Sequence, residues 1–361
     1  MIKKARGDFT IPLAVVLLAV TGTVFIYSAS CYSASATYND AFYFVKKQVV
    51  GIILGIATMI FTASIDYHRL KKFTLPISLL AIVLLVLVFV PKIGVENYGA
   101  KRWIAIGPLT LQPSELAKFA LILFSATYIS SNPGNMRTLK GIIPILAYGL
   151  VLCALIIAEP NMSITVCMVA LMISILFAGG MKIKYFLLLA IPAVFLAVLL
   201  ILIEPYRLDR LSAFLDPWAS PKGEGYQLLQ SLYALGSGGW FGVGLFNSRQ
   251  KYAFLPFSES DFILSIIGEE IGFIGIVVFF LLLFYIIFRG IKTASKSKDF
   301  FGYILSVGIT MIFGIQVVVN ALVVSGAIPP TGLPLPLVSS GNTAIIIFMA
   351  EMGILYNVSK G

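Results

Sequence analysis

The sequence predicts an all-α, polytopic membrane protein with about ten transmembrane helices. Of its 361 residues, 59% are hydrophobic and 12% are charged. Apolar runs of about 18 residues or more recur from end to end, each long enough to cross the hydrocarbon of a bilayer. Lys and Arg concentrate in alternate loops, which gives the spans an orientation. A soluble globular domain is excluded, and the net charge of +10 is scattered among loops rather than gathered into a nucleic-acid-binding patch.

Spans are expected near 10–30, 43–64, 75–91, 114–131, 142–158, 162–179, 184–204, 262–288, 301–324 and 341–357. The first follows "MIKKARGD" and, since many spans succeed it, reads as a retained helix and not as a signal peptide. With the N-terminus inside, the cytoplasmic loops receive Lys3, Lys4 and Arg6, "HRLKK" at 68–72, Arg137 with Lys140, Lys182 with Lys184, and "RGIKTASKSK" at 289–298. Both termini are then cytoplasmic. One long extracytoplasmic loop, about 205–261, lies between the seventh and eighth spans. Shorter loops at 92–113 and 325–340, rich in Gly, Pro, Ser and Trp, can converge with it on one external site. No internal repeat or low-complexity tract divides 1–361, which reads as a single integral membrane domain.

Charges in or beside spans need a reason, because an ionised group at the centre of a membrane helix costs about 2.5 kcal/mol or more. Glu115, Lys118, Asp261, Glu269, Glu270 and Glu351 are in that position. Glu115 and Lys118, three residues apart on one helical face, either neutralise each other or line a polar cavity. Arg102 and Lys101 precede that helix and can extend a basic surface towards a phosphate; headgroup anchoring is the alternative for Lys101. At about 100° per residue, Gly268 and Gly272 share the face of Asp261, while Glu270 lies opposite and Glu269 sits roughly 12 Å deeper. Asp261 therefore tops a small-residue stripe able to approach another helix, and is either a functional carboxylate or a helix N-cap.

Cys31, Cys153 and Cys167 are odd in number and lack ligand-like spacing, so they read as packing residues. The single histidine, His68, falls in a basic loop, and without a second one no Ser-His-Asp arrangement is available at the other face. There is no phosphate-binding P-loop or dinucleotide fingerprint. An enzyme acting outside the membrane has no ATP, so its substrate must arrive already activated, as a lipid-linked donor with a good leaving group does.

Several long blocks, in order, resemble the SEDS (shape, elongation, division and sporulation) family, and specifically its FtsW and SpoVE branch. They are "IDYHRLKK" at 65–72, "GAKRWIAIGPLTLQPSELAKFALILF" at 99–124, "RLSAFLDPWASPKGEGYQLLQSLYALGSGGWFGVGLFNSRQKYAFLPFSESDFILSIIGEEIGFIG" at 210–275, "PPTGLPLPLVSSG" at 329–341 and "GILYNVSK" at 353–360. The resemblance implies a peptidoglycan glycosyltransferase that polymerises lipid II into β-1,4 glycan strands at the outer face of the cytoplasmic membrane, in cell division or sporulation. It releases undecaprenyl pyrophosphate with inversion. The implied partners are a class B penicillin-binding protein and other division or sporulation membrane proteins, with no nucleic acid.

By motif position the resemblance makes Asp261 the catalytic residue, as the base or its nearest electrostatic equivalent. Arg102 and Lys118 are assigned to phosphate contact, Glu115 to orienting Lys118 or a bound cation, and Trp103 to stacking on sugar or lipid or to interfacial anchoring. Arg210, Asp216, Tyr226, Gln227, Arg249, Gln250 and Lys251 are expected as further substrate contacts. No cofactor is certain; a divalent cation could assist the pyrophosphate, but no diagnostic ligand set is present. The chain departs from the family pattern at Phe257, where a glutamate is usual; at "EPN" (159–161), which moves the acid from Asn161 to Glu159; and at "SSGN" (339–342), where Ser340 and Asn342 replace a tyrosine and a glycine. Two other classes stay open: a lipid II flippase or transporter, and a non-catalytic division scaffold.

Overall fold

Hydrocarbon offers no hydrogen-bond partners, so apolar runs crossing it must close their own backbone bonds as helices. The computed structural model describes residues 7–97, 100–106, 109–191 and 205–361. Helices α1 (Thr10–Tyr38), α2 (Tyr43–Ser64), α3 (Thr74–Leu87, entered through a 3₁₀ turn at Tyr67–Phe73), α4 (Pro113–Ser131), α5 (Leu139–Ala158) and α6 (Met162–Ala178) follow the expected spans. A further helix, α7, opens at 183–191; the rest of the span expected at 184–204 lies outside the described residues. After α8 (Pro205–Leu215) and α9 (Tyr226–Gly238) come α10 (Ile263–Ser295), α11 (Phe300–Val324) and α12 (Asn342–Val358).

Among the described residues, six helical segments are long and apolar enough to cross a membrane, and α6 and α12 are shorter apolar helices. Their outward faces carry exposed Leu13, Leu17, Ile53, Phe61, Val278 and Leu281, the surface that lipid covers. Inside, one face of α11 is buried, with Ile304, Leu305, Ile309, Ile312, Phe313 and Val317 all fully covered, while Val318 and Leu322 face outward. Gly308 meets Ile122 of α4, and Phe313 packs edge-on against Phe348 of α12. This is a multi-pass membrane fold.

Two segments expected as loops have structure of their own. The 92–113 region forms a three-stranded antiparallel sheet, β1 (Gly94–Asn97), β2 (Ala100–Ile106) and β3 (Leu109–Leu111), in the order β1-β2-β3. Residues 205–261 are not a loop lying wholly above the bundle. They contain α8 and α9, and α9 runs down beside the first turns of α10, where Gly238 closes on the Gly268 carbonyl.

The chain after α9 meets α10 where that helix breaks, at Gly272 (φ 66°, ψ −172°), about 14 Å below its start at 1.5 Å per residue. The break frees two carbonyls and two amides, and the re-entrant segment takes all four. Val243 and Gly244 donate N–H to the carbonyls of Glu269 and Glu270 at 3.0 Å each, while Phe273 and Ile274 donate to those of Gly239 and Trp240 at 2.9 and 3.1 Å. Irregular backbone at membrane depth survives because protein supplies these partners. Gly242 (φ 80°) and Gly272 lie so close that a Cβ on either would strike the backbone of the other segment.

Candidate active site

At the end of the bundle that bears the sheet, a cavity of about 1150 Å³ opens between α2, β2, α6, α8, α9, the segment before α10 and the 328–334 segment. Arg102 and Trp103 enter it from β2, Arg210 from α8 and Gln227 from α9, while Asp261 enters from the turn that precedes α10. Sequence positions spread over some 160 residues thus share one chamber, the convergence expected of its polar loop residues.

Asp261 is held from three sides. Asn320 of α11 donates its side-chain amide to the Asp261 and Leu333 carbonyls, both at 2.8 Å, tying the turn to the 328–334 segment. Gly332 (φ 67°) brings that segment's backbone against the carboxylate. The neighbouring residues are fixed too: Ser339 donates to the Ser260 carbonyl at 2.6 Å, and Ser340 N–H to that of Glu259 at 3.0 Å. Removal from water pushes the Asp261 carboxyl up to about 6; a hydrogen bond from Ser260 and the positive charges of Arg210 and Arg102 work against that shift, and the charge of Glu259 adds to it. No side chain caps α10, so the N-cap alternative for Asp261 is not realised.

Arg102 donates through Nε to the Glu159 carbonyl at 3.3 Å and through a terminal nitrogen to that of Pro160, which fixes its guanidinium at the cavity wall. Arg210 reaches the Pro330 carbonyl at 3.3 Å. Both cations are therefore positioned by backbone, on the same chamber as the carboxylate.

Other expected contacts lie elsewhere. Glu115 and Lys118 are each 2% exposed and pair at 2.8 Å within α4, with the ammonium 5.2 Å from the Phe348 ring centre. Neither lines the cavity. Low dielectric makes mutual neutralisation the favourable arrangement, and the phosphate contact expected of Lys118 is not what this geometry offers. Lys251 is likewise buried, donating to Ser28 at 3.3 Å and to the Phe246 carbonyl, with Glu270 at 3.6 Å. Asp216 is exposed and caps the turn at Pro217–Ala219. Tyr226, Arg249 and Gln250 are outside the cavity lining.

Glu269 and Glu270, buried to 1%, organise the chain above them. Glu269 accepts the Ser248 hydroxyl and the amides of Arg249 (3.0 Å) and Gln250 (3.4 Å). Glu270 accepts the Ser28 hydroxyl and the Ser248 amide. These acids are anchors for the 248–251 turn, separate from the chamber that holds Asp261.

Sequence reasoning missed Lys47, Gln112 and Glu259, all of which line the cavity. Lys47 bonds the Tyr43 hydroxyl at 2.6 Å; a basic pair inside the run 43–64 was the signal available. Among the described residues, no three His, Cys, Asp or Glu side chains are grouped to hold a metal ion.

A chain of a solved peptidoglycan synthase complex, described as coordinating polymerization and crosslinking, superposes with a TM-score of 0.81 at 26% identity, covering 98% of this chain and 97% of that one. The rod shape determining protein RodA of Thermus thermophilus shares the fold, with a TM-score of 0.72 at 24% identity over 98% of this chain and 96% of that one. Stage V sporulation protein E of Bacillus subtilis is 37% identical, over 99% of this chain and 98% of its own length. A protein of Trichlorobacter lovleyi named "Probable peptidoglycan glycosyltransferase FtsW" is 38% identical, over 99% of this chain and 94% of its own length. A family model described as "Cell cycle protein" matches residues 9–361: the chain belongs to the FtsW/RodA/SpoVE family.

Proposed function

We propose that the chain is a peptidoglycan glycosyltransferase that polymerises lipid II, with Asp261 as its base. The observation that carries this reading is one carboxylate, held up to about 6 by desolvation, in the same cavity as Arg102 and Arg210. Full-length relatives named for that activity and for sporulation support it.

The donor's undecaprenyl pyrophosphate is an intrinsically good leaving group. Asp261 takes the proton from the 4-hydroxyl of the acceptor sugar as that oxygen attacks C1 of the donor. The bond from C1 to the phosphate oxygen breaks, and the pyrophosphate departs with the electron pair, its charge met by Arg102 and Arg210 with Lys47 nearby. A single displacement converts an α-linked donor into a β-1,4 product. Trp103 and Gln227, which line the same cavity, are assigned to sugar contact in this reading.

The orientation follows from charge. The ends of the helices opposite the sheet carry Arg69, Lys71, Lys72, Arg137, Lys182 and Lys292, which supports a reading with that end and both termini in the cytoplasm and the cavity outside. A class B penicillin-binding protein as partner is supported by the likeness to a chain of a polymerising and crosslinking complex.

The test is polymerisation of purified lipid II by the chain with its penicillin-binding partner, the latter's transpeptidase serine inactivated. Glycan strands are expected from wild type and not from Asp261→Asn. Equal strands from both would remove Asp261 from the chemistry, and passage of labelled lipid II across vesicles without polymer would point to transport.

A further inference from the structure

Between α5 and α6, the chain buries a carboxylate that the chemistry above does not use. Glu159 is 0% exposed, and neither of its side-chain oxygens has a hydrogen-bond partner. An ionised carboxylate in that state carries an uncompensated desolvation cost. The charged group beside it is Arg102, which bonds the backbone carbonyls of Glu159 and Pro160 and presents its guanidinium to the cavity. Glu159 is thus buried outside the cavity lining, within the electrostatic reach of a cation that is part of that lining.

We propose that Glu159 acts through Arg102 as a positioning residue that couples proton uptake to the binding of a phosphate-bearing ligand. The inference rests on the reading of the cavity as a pyrophosphate site. An anion arriving at Arg102 places a second negative charge near the Glu159 carboxylate, so the carboxylate takes up a proton and the guanidinium is left to the ligand. When the anion leaves, Arg102 again favours the ionised carboxylate. By linkage, whatever raises the proton affinity of Glu159 on ligand binding raises ligand affinity equally on protonation.

Burial pushes the Glu159 carboxyl up to about 8, and the charge of Arg102 opposes that shift, so the group titrates where such coupling can operate. Asp261, Glu259, Arg210 and Lys47 line the same cavity; of these, Asp261, at about 6, is already ionised over the range in which Glu159 changes.

The probe is inorganic pyrophosphate, titrated into the purified full chain by calorimetry. Between about pH 7 and pH 9, wild type should lose about 5-fold more affinity than Glu159→Gln, the lower end of typical coupling. Titration of pyrophosphate itself is common to both proteins and cancels. Parallel pH dependences would overturn the coupling and leave the phosphate site standing. Absence of binding to either protein would overturn the site reading and the coupling with it.

A second measurement needs no variant. In buffers of different ionisation enthalpy near pH 8, wild type should take up part of a proton beyond that due to pyrophosphate. No excess uptake would also overturn the proposal.

Discussion

Gly332 lies against Asp261: a Cβ built on this glycine would stand 3.1 Å from Oδ2 of the carboxylate, on a backbone with φ 67°. The roof segment and the proposed base are in contact, and the contact exists because residue 332 has no side chain.

Gly332→Ala should therefore lower turnover more than it lowers stability. The left-handed conformation costs an alanine about 1–2 kcal/mol, while the added methyl crowds the oxygen that must meet the acceptor hydroxyl. Lipid II polymerisation beside a thermal melt separates the two effects, and unaltered polymerisation would mean that the roof does not set the carboxylate's position.

Asp261→Asn should reduce polymerisation on the order of a hundredfold or more. In wild type, the rate should rise with pH through about 6 and level off above it, because only the ionised carboxylate accepts a proton. The same raised value means that ionisation opposes folding above the unfolded value near 3.8. The Asn variant should therefore melt higher than wild type, with a gap that opens as pH climbs from about 4 and is complete above about 6. Melting curves across that range test the sign.

Lys118→Ala should impair folding, unlike a substitution in a phosphate site. Removing one partner of a buried pair costs about 3–5 kcal/mol, and Glu115 would be left buried without its partner. Lys118→Met combined with Glu115→Gln should recover most of the lost stability, and urea titration of the three proteins reads this directly. A single variant as stable as wild type would show that the pair contributes little.

Ser248→Ala removes the hydroxyl that donates to Glu269 and receives the Lys251 amide. A loss of about 1–3 kcal/mol is expected, together with faster amide exchange in residues 248–251 and unchanged exchange in α11. Exchange rates unchanged at both places would dissociate Glu269 from the turn.

Much of the fold was legible because hydrocarbon imposes a simple rule on long apolar runs, and α1 to α6 and α10 to α12 obey it. The sheet at 94–111 escaped, since its strands are only 4, 7 and 3 residues long and carry no sustained alternation. The descent of α9 also escaped: whether a polar, glycine-rich stretch lies above a bundle or inside it depends on partners such as the Glu269 and Glu270 carbonyls, which no local pattern reveals. In the cavity, Asp261, Arg102, Trp103, Arg210 and Gln227 were found through their motifs. For Lys118, spacing left pairing with Glu115 and a place on a polar cavity both open and motif position pointed to phosphate; the buried pair lies away from the chamber, a choice that depends on packing across helices.

The fracture at Gly272 has a further meaning for how this helix can vary. A continuous helix gives every residue an angular phase set by all the others, so turning its lower half to suit a neighbour in the bilayer would also turn the end that joins the Asp261 turn at the cavity. With the phase reset at residue 272 and the gap stitched to the 239–244 segment, α10 is two separately aimed instruments. Its upper part keeps one bearing for chemistry, and its lower part is at liberty to adopt another for whatever the membrane places beside it.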